Sequence, residues 1–399
     1  MTDTNENRIP LIKTIKERCK VCYTCVRECP AKAIRISSGQ AEVIGDRCIG
    51  CGICVKVCSQ QAKHVRNSIP EVQTILASGV PTIACIAPSF PAEFSDVPFE
   101  KLVGGLKKLG FDKVVEVAFG ADLIARKYSD MVKGKETKDA RKIATTCPAI
   151  VSYIEKYHPS LVRNLAELVS PMVATGKILK QYYSKDYKVV FIGPCIAKKD
   201  EAKNMNGTSD IDTVITFSEL RNLLNLNQVN LENMTGSDFD PPHPGKGTLF
   251  AIEKGMLQAA ALNEDLMTNE IVASDGAKSF VQAIKEFERG ALNAKLLEVL
   301  CCNGCIMGSG MTCTSTHFAR RSQVGKYASQ RVNAIDESQW QRDMEQFEYL
   351  DLSRSYRIDD HRLPVPSKDE LVRILKDMGK EKPQDELNCG ACGYDTCID

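Results

Sequence analysis

A surplus of one charge is missing from this chain: 52 Lys and Arg face 51 Asp and Glu, which leaves a net charge of +1. That balance gives no electrostatic footprint for nucleic acid or an anionic membrane. Long apolar runs are missing too. None approaches the roughly 20 residues of a bilayer-spanning helix, and the polar start, Met1 to Arg8, leads into no apolar core of signal-peptide length. The cytoplasm is therefore the expected compartment, with neither nucleic acid nor membrane as partner. Apolar and charged shares of 43% and 26% are those of a globular protein, and 399 residues allow two or three domains.

Cysteine is what the chain has in excess. Its 18 copies fall in tight groups beside Pro and Gly, within a long chain of helix and strand patterns, unlike a short secreted disulfide scaffold. Grouped thiols are soft ligands, suited to iron–sulfur clusters. The first group is Cys19-x2-Cys22-x2-Cys25-x3-Cys29, followed by Pro30; Cys48-x2-Cys51-x2-Cys54-x3-Cys58 repeats it. An echo follows each, Ala-Lys-Ala-Ile-Arg at 31–35 and Ala-Lys-His-Val-Arg at 62–66. This internal repeat has the spacing of bacterial ferredoxins with two 4Fe-4S clusters, in which the fourth thiol of each run serves the other cluster. Cys19, Cys22, Cys25 and Cys58 are thus expected to hold one cluster, and Cys48, Cys51, Cys54 and Cys29 the other. Ser59 stands where a second proline is usual. A zinc knuckle would have no use for the third close thiol. An α+β ferredoxin-like domain over 1–68 is the reading.

Residues 60–80 read as a helical connector ending at Gly79, and the pattern then alternates. Strands are expected at 82–87, 113–118, 141–145, 187–192, 211–215 and 295–300, and helices at 99–109, 121–134, 148–157 and 171–183. Such alternation predicts an α/β domain over 69–360: two lobes of mostly parallel sheet flanked by helices. Ligands in such sheets sit beyond the carboxyl ends of the strands. Three cysteine loops follow expected strands: Thr145-Thr146-Cys147-Pro148, with Pro148 near a helix start; Gly193-Pro194-Cys195, leading to Lys198 and Glu201; and Cys301-Cys302-Asn303-Gly304-Cys305, leading to Gly308 and Gly310. Far apart in sequence, they can converge on one crevice.

These three loops resemble the signature motifs of the FeFe (iron-only) hydrogenases: Thr-Ser-Cys-Cys-Pro, Met-Pro-Cys-x-x-Lys-x-x-Glu, and Glu-x-Met-x-Cys-x-x-Gly-Cys-x-x-Gly-Gly-Gly. The likeness extends to residues 150–159, to 109–112 and to Ala121-Asp122-Leu123, and so covers nearly the whole chain. It implies that Cys147, Cys195, Cys302 and Cys305 bind a catalytic 4Fe-4S cluster. Cys305 would bridge it to a di-iron unit bearing CO, cyanide and azadithiolate, which together make the H-cluster. Glu298 lies at the family's distance from Cys302; pairing Cys301 with Cys305 instead keeps the inter-cysteine spacing, and sequence leaves the two open. The resemblance makes Lys198 the cationic donor beside the cyanide-bearing unit, with Glu201 next to it. Ala87-Pro88-Ser89, Gly193, Pro194 and Gly308 would line the cofactor.

Departures from the family pattern matter as much. Thr146 replaces the cysteine that exchanges protons with the azadithiolate amine, and a hydroxyl is too weak an acid for that near neutral pH. Gly193 and Leu300 replace methionines, Ser309 interrupts the glycine run, and Lys127 and Tyr128 stand where acidic residues lie on the proton path. Low turnover is the expectation, as in the divergent branch regarded as H2 sensors. Cys301, with an ordinary thiol pKa near 8.5, is expected either to stand in partly for the relay cysteine or to point into the core as a small hydrophobe. The partners implied are H2 and protons, a redox or signalling protein and the di-iron maturation machinery, with a homodimer left open. A non-catalytic electron carrier or an iron–sulfur assembly factor lacking the di-iron unit is the alternative. Cys85 reads as core, His243 as a loop residue, and Cys313 as a neighbour of the third loop. Residues 316–362 read as solvated helices. Over 361–399, a helix at 367–378 precedes Cys389-x2-Cys392-x4-Cys397, three-quarters of a further 4Fe-4S motif.

Overall fold

The computed structural model describes residues 10–399 apart from 135–140, 185 and 204–209. In the N-terminal module, β1 (Ile12–Thr14), β2 (Ile34–Ser37), β3 (Gln40–Val43) and β4 (Lys63–Val65) form two antiparallel pairs, β1 with β4 and β2 with β3. Each cysteine run enters a one-turn helix, Thr24–Arg27 or Ile53–Lys56, and the two pack together. The sequence repeat is thus a repeat in space. One expectation changes here: the stretch 60–80 is not helical throughout. Its first part is β4, held by pairing with a strand some fifty residues away, a tertiary contact that no local pattern announces. Lys63 secures it, with Nζ 2.7 Å from both Thr14 Oγ1 and Ala41 O. Only Ile69–Ala77 is helix.

From there strand and helix alternate. The strands are β5 (Thr82–Ile86), β6 (Lys113–Glu116), β7 (Lys142–Ile143), β8 (Lys188–Gly193), β9 (Thr213–Thr216), β10 (Ile271–Asp275) and β11 (Leu296–Leu300). They form two wholly parallel sheets, in the orders β6-β5-β8-β9 and β10-β11-β7. Every residue of β5 and β11 is buried, as expected of strands covered on both faces. The fold class is the one expected, a two-lobed parallel α/β domain behind an α+β ferredoxin-like module. Sequence reasoning missed β10: only Ile271 of its five residues is buried, so this edge strand lacks an apolar run.

The modules are tied by a buried ion pair. Lys199, 2% exposed, donates to Glu219 at 2.8 Å and to Ser68 Oγ at 2.8 Å, while Glu219 accepts from the Ser68 amide at 2.8 Å. Burial lowers the Lys199 pKa, and Glu219 opposes that shift. Glu219 also completes the capping box of the helix Phe217–Leu226 with Thr216. The stretch 316–362 is less solvated than expected. Its helix His317–Ala334 buries Arg320, Val324, Tyr327 and Ala328, and beyond the helix Glu337–Gln346 the chain runs on to bridge Ser353 to Leu168.

Candidate functional site

Parallel strands deliver their carboxyl ends, and the loops after them, to one side of a sheet. Here β7 leads to Cys147, β8 to Cys195, β11 to Cys301, Cys302 and Cys305, and β5 to Ala87-Pro88-Ser89. Cys147 precedes the helix Pro148–Tyr157, whose proline lies in the first turn where no amide is needed. Cys302 is close enough to Cys195, Cys147 and Cys305 for each thiolate to repel the others. Burial pushes the Cys195 thiol up to about 11 and Cys305 to about 12, and neighbouring thiols add to both. Four half-buried thiols from three loops therefore lie near one another, and as thiolates they call for a strong cationic centre.

Lys198 faces Cys147, Cys195 and Cys305. It is 8% exposed and donates to Glu201 Oε2 at 2.7 Å, while Arg354 holds Glu201 Oε1 at 3.1 Å. The buried Lys198 side chain is thereby fixed in place. The loops below it are tight. A Cβ on Gly193 would lie 2.8 Å from that of Ala87, and one on Gly308 would lie 2.6 Å from the Pro194 carbonyl oxygen. Ser89 is fully buried, with an unpartnered Oγ.

In the N-terminal module Cys25 lies near Cys19, Cys22 and Cys58, and Cys54 near Cys29, Cys48 and Cys51. The fourth thiol of each run thus crosses to the other group. Backbone amides reach Cys29, Cys58 and Cys48, from Ala33 at 3.3 Å, Ala62 at 3.3 Å and Gly50 at 3.4 Å. Such bonds favour thiolate. Burial raises Cys48 to about 12. Cys22 differs: it is exposed, and the Thr24 hydroxyl lowers its pKa.

Cys301 stands apart from the four. It is 2% exposed and belongs to the apolar cluster against which Cys51 of the ferredoxin-like module and Cys147 also pack. The thiol expected to stand in for a relay cysteine is buried in the same apolar cluster as thiols of the ferredoxin-like module.

On the expected proton route, Tyr128 is fully buried, with its hydroxyl oxygen 2.8 Å from the Thr145 amide and 3.2 Å from Thr145 Oγ1. Burial raises its pKa to about 12. Thr145 Oγ1 is in turn close to the carbonyls of Ala166 and Leu168, at 3.1 and 2.9 Å. Lys127 turns outward to the Glu348 carbonyl at 3.2 Å. Thr146 is half-buried beside Cys147.

The remaining candidates lie elsewhere. Cys85 is core within β5. His243 meets Arg331 in a loop that Asp122 pins through the Gly245 and Gly247 amides, each at 2.6 Å. Cys389 and Cys392 are exposed and Cys397 is half-buried. Their segment touches the helix that carries Cys25: a Cβ on Gly393 would lie 2.8 Å from the Val26 carbonyl, and Lys32 donates to the Gly393 carbonyl. Two residues that hold the third loop escaped sequence reasoning. Glu93, 1% exposed, accepts from the amides of Thr312 at 2.8 Å and Cys313 at 3.2 Å, and from Arg221 at 2.6 Å. Arg320 donates to the carbonyls of Ile306 at 2.9 Å, Ser315 at 2.8 Å and Cys313. An acid inside the apolar run Phe90-Pro-Ala-Glu93-Phe94 was the available signal for the first.

Among the described residues, no three Cys, His, Asp or Glu side chains could hold a single metal ion. The thiols instead gather in fours around shared spaces, an arrangement that fits polynuclear iron–sulfur clusters. The unpartnered Ser89 hydroxyl and the glycine-tight walls fit a bulky polar group beside the third set.

Residues 80–309 match the family described as "Iron only hydrogenase large subunit, C-terminal domain", and residues 18–63 match a 4Fe-4S dicluster domain. "Iron hydrogenase 1" of Clostridium pasteurianum is 28% identical over 295 residues, which are 62% of this chain and 51% of that protein. The chain thus spans about half the length of that relative. A probable cytosolic Fe-S cluster assembly factor of Aedes aegypti is 26% identical over 53% of this chain and 56% of its own. An FeFe-hydrogenase from Chlamydomonas reinhardtii, at 18% identity, superposes with a TM-score of 0.61 over 74% of this chain and all of that one; this is likeness of fold.

Proposed function

The chain belongs to the iron-only (FeFe) hydrogenase family, and from that premise we propose that it is a low-turnover hydrogenase of the sensing kind. It would exchange electrons with H2 and protons through its N-terminal clusters. The observation that carries this reading is the buried Lys198, which Glu201 and Arg354 fix near Cys147, Cys195 and Cys305. Glu201 offsets the desolvation of this ammonium, and the ammonium's remaining N–H donors suit a cyanide-bearing unit.

When bound at Cys305, the di-iron unit would supply reversible cleavage of H2 into two protons and two electrons. Cys147, Cys195, Cys302 and Cys305 would hold the adjoining 4Fe-4S cluster. Lys198 orients and neutralises the unit, and Glu201 keeps Lys198 aimed inward. Ala87, Pro88, Ser89, Gly193, Pro194 and Gly308 shape its wall and exclude water. Proton exchange is the weak part: Thr146 offers a poor acid, and Tyr128 fills the inner end of the route with a hydroxyl already engaged by Thr145. General acid–base assistance contributes about 10²–10⁴-fold, so losing it leaves a slow enzyme suited to sensing. Electrons would pass to a redox or signalling partner through Cys22, the exposed end of the ferredoxin-like module.

Similarity to an assembly factor favours a second reading, in which the clusters are present without the di-iron unit. Infrared spectra after maturation with a synthetic di-iron unit separate the two. The proposed function requires CO and cyanide bands, and their absence would leave the second reading standing.

A further inference from the structure

Beyond Cys305 the chain runs through residues 308–316 as neither helix nor strand. Its amides and carbonyls must therefore find partners elsewhere in the molecule. Two buried side chains of opposite charge supply them. The Glu93 side chain is fully buried, and its Oε2 accepts from the amides of Thr312 at 2.8 Å and Cys313 at 3.2 Å. Its Oε1 accepts from Arg221 Nε at 2.6 Å and from the Thr312 hydroxyl. Arg320, 8% exposed, spreads its fork over three carbonyls: Nε to Ser315 at 2.8 Å, one terminal nitrogen to Ile306 at 2.9 Å, and the other to Cys313. A carboxylate only accepts and a guanidinium only donates, so the two side chains divide the loop's amides and carbonyls between them.

The place of Glu93 in the chain gives this grip a consequence. Glu93 ends the one-turn helix Phe90–Glu93, which directly follows Ala87-Pro88-Ser89 and the unpartnered Ser89 hydroxyl. That turn is itself immobilised: Phe90 and Ala92 are buried, and Arg221 donates to the Glu93 carbonyl at 2.7 Å while lying over the Phe94 ring at 4.6 Å. One rigid piece thus carries Ser89 at its start and, at its end, the carboxylate that holds the loop supplying Cys305. We propose that Glu93 and Arg320 are positioning residues of the catalytic site, which keep Cys305 and Gly308 in register with Ser89 across the space of the di-iron unit. Neither reaches that unit; both act through the loop backbone. Hydrogen bonds to an ionised group are about twice as strong as neutral ones, so the charge on each side chain stiffens the loop. The inference rests on the proposed function, because it gives the register a use.

Wild type, Glu93→Gln, Arg320→Lys and Thr312→Val are reconstituted anaerobically with iron and sulfide, and part of each is then matured with the synthetic di-iron unit. Gln keeps the shape of Glu93 but sets an NH2 group against donors. Lys keeps the charge of Arg320 without its fork, and Val removes only the Thr312 hydroxyl. In Glu93→Gln and Arg320→Lys the electron paramagnetic resonance signal of the catalytic cluster should broaden, and the CO and cyanide bands should shift, with the N-terminal cluster signals unchanged. In H2 oxidation kcat should fall about 10²-fold, the cost of a misplacement of about 1 Å, at unchanged KM. Thr312→Val, which leaves both amides on Glu93, should match wild type. A role in stability alone would lower the urea midpoints and leave the resonance signal and infrared bands of the folded variants as in wild type; that result overturns the proposal, as does a Thr312→Val change as large as that of Glu93→Gln. Should Glu93→Gln fail to fold, Arg320→Lys meets the same two outcomes. Absence of CO and cyanide bands in wild type would instead sink the proposed function, while the resonance signal, recorded without the di-iron unit, still decides whether these side chains position the loop.

Discussion

Substituting alanine at Gly52 separates the backbone and steric contributions to the seam between modules. Gly52 has φ +75°, a left-handed conformation that disfavours any Cβ by roughly 1–2 kcal/mol. The new Cβ would also lie 2.1 Å from Ser309 Oγ and 2.5 Å from Ser309 Cβ, so the third cysteine loop would have to move. Overpacking of this kind costs about 1–3 kcal/mol, and Gly52→Ala should lose about 2–5 kcal/mol in all. Gly39 supplies the reference: its φ is +74°, with nothing within 4 Å of a Cβ, so Gly39→Ala should show the backbone part alone. Adding Ser309→Gly to Gly52→Ala removes the obstructing side chain, and about 1–3 kcal/mol should return as coupling between the two sites. Anaerobic urea titration of wild type, Gly39→Ala, Gly52→Ala, Ser309→Gly and the double variant, followed through the visible absorbance of the clusters, gives the values needed. Equal losses at Gly39 and Gly52, or no recovery in the double variant, would refute the packing described for this seam.

The other predictions concern the site more directly. Burial raises Glu298 from the ordinary 4.5 to about 8. The folded state therefore holds a proton that the unfolded state has lost, and stability should fall as pH rises from 4.5 to about 8, then level off; Glu298→Gln should flatten that decline in urea midpoints. Thr146→Cys, matured with the synthetic di-iron unit, should raise proton reduction if the relay limits turnover; an unchanged rate would move the limit to Tyr128 or to electron supply. Cys22→Ser should remove one N-terminal cluster from the iron count and leave the signal of the catalytic cluster intact. Simultaneous loss of every cluster would contradict independent sites.

Much of the ligand chemistry was legible because cysteine spacing is a local property. A run such as Cys19 to Cys29 can wrap little but a cluster, and the apolar run at 295–300 marks β11 without help from neighbours. What escaped depends on distant partners. β4 is three residues long and exists through its pairing with β1; β10 is an edge strand with one buried residue. Glu93 and Arg320 act through backbone atoms of a remote loop, whose positions no pattern encodes. Cys301 and Cys302 are neighbours of the same type, and only the packing of the ferredoxin-like module onto the loop distinguishes the thiol that faces Cys51 from the one that faces Cys195.

The crossed thiols of the N-terminal module also order the birth of the protein. Cys19, Cys22 and Cys25 wait for Cys58, so a ribosome must expose the whole repeat before that quartet exists. The other quartet, already holding Cys29, is complete four residues earlier, when Cys54 emerges. The catalytic quartet is complete only at Cys305, long after the surface that will receive it has been made. Every residue of the ferredoxin-like module is therefore synthesised before the last cysteine loop that packs against it.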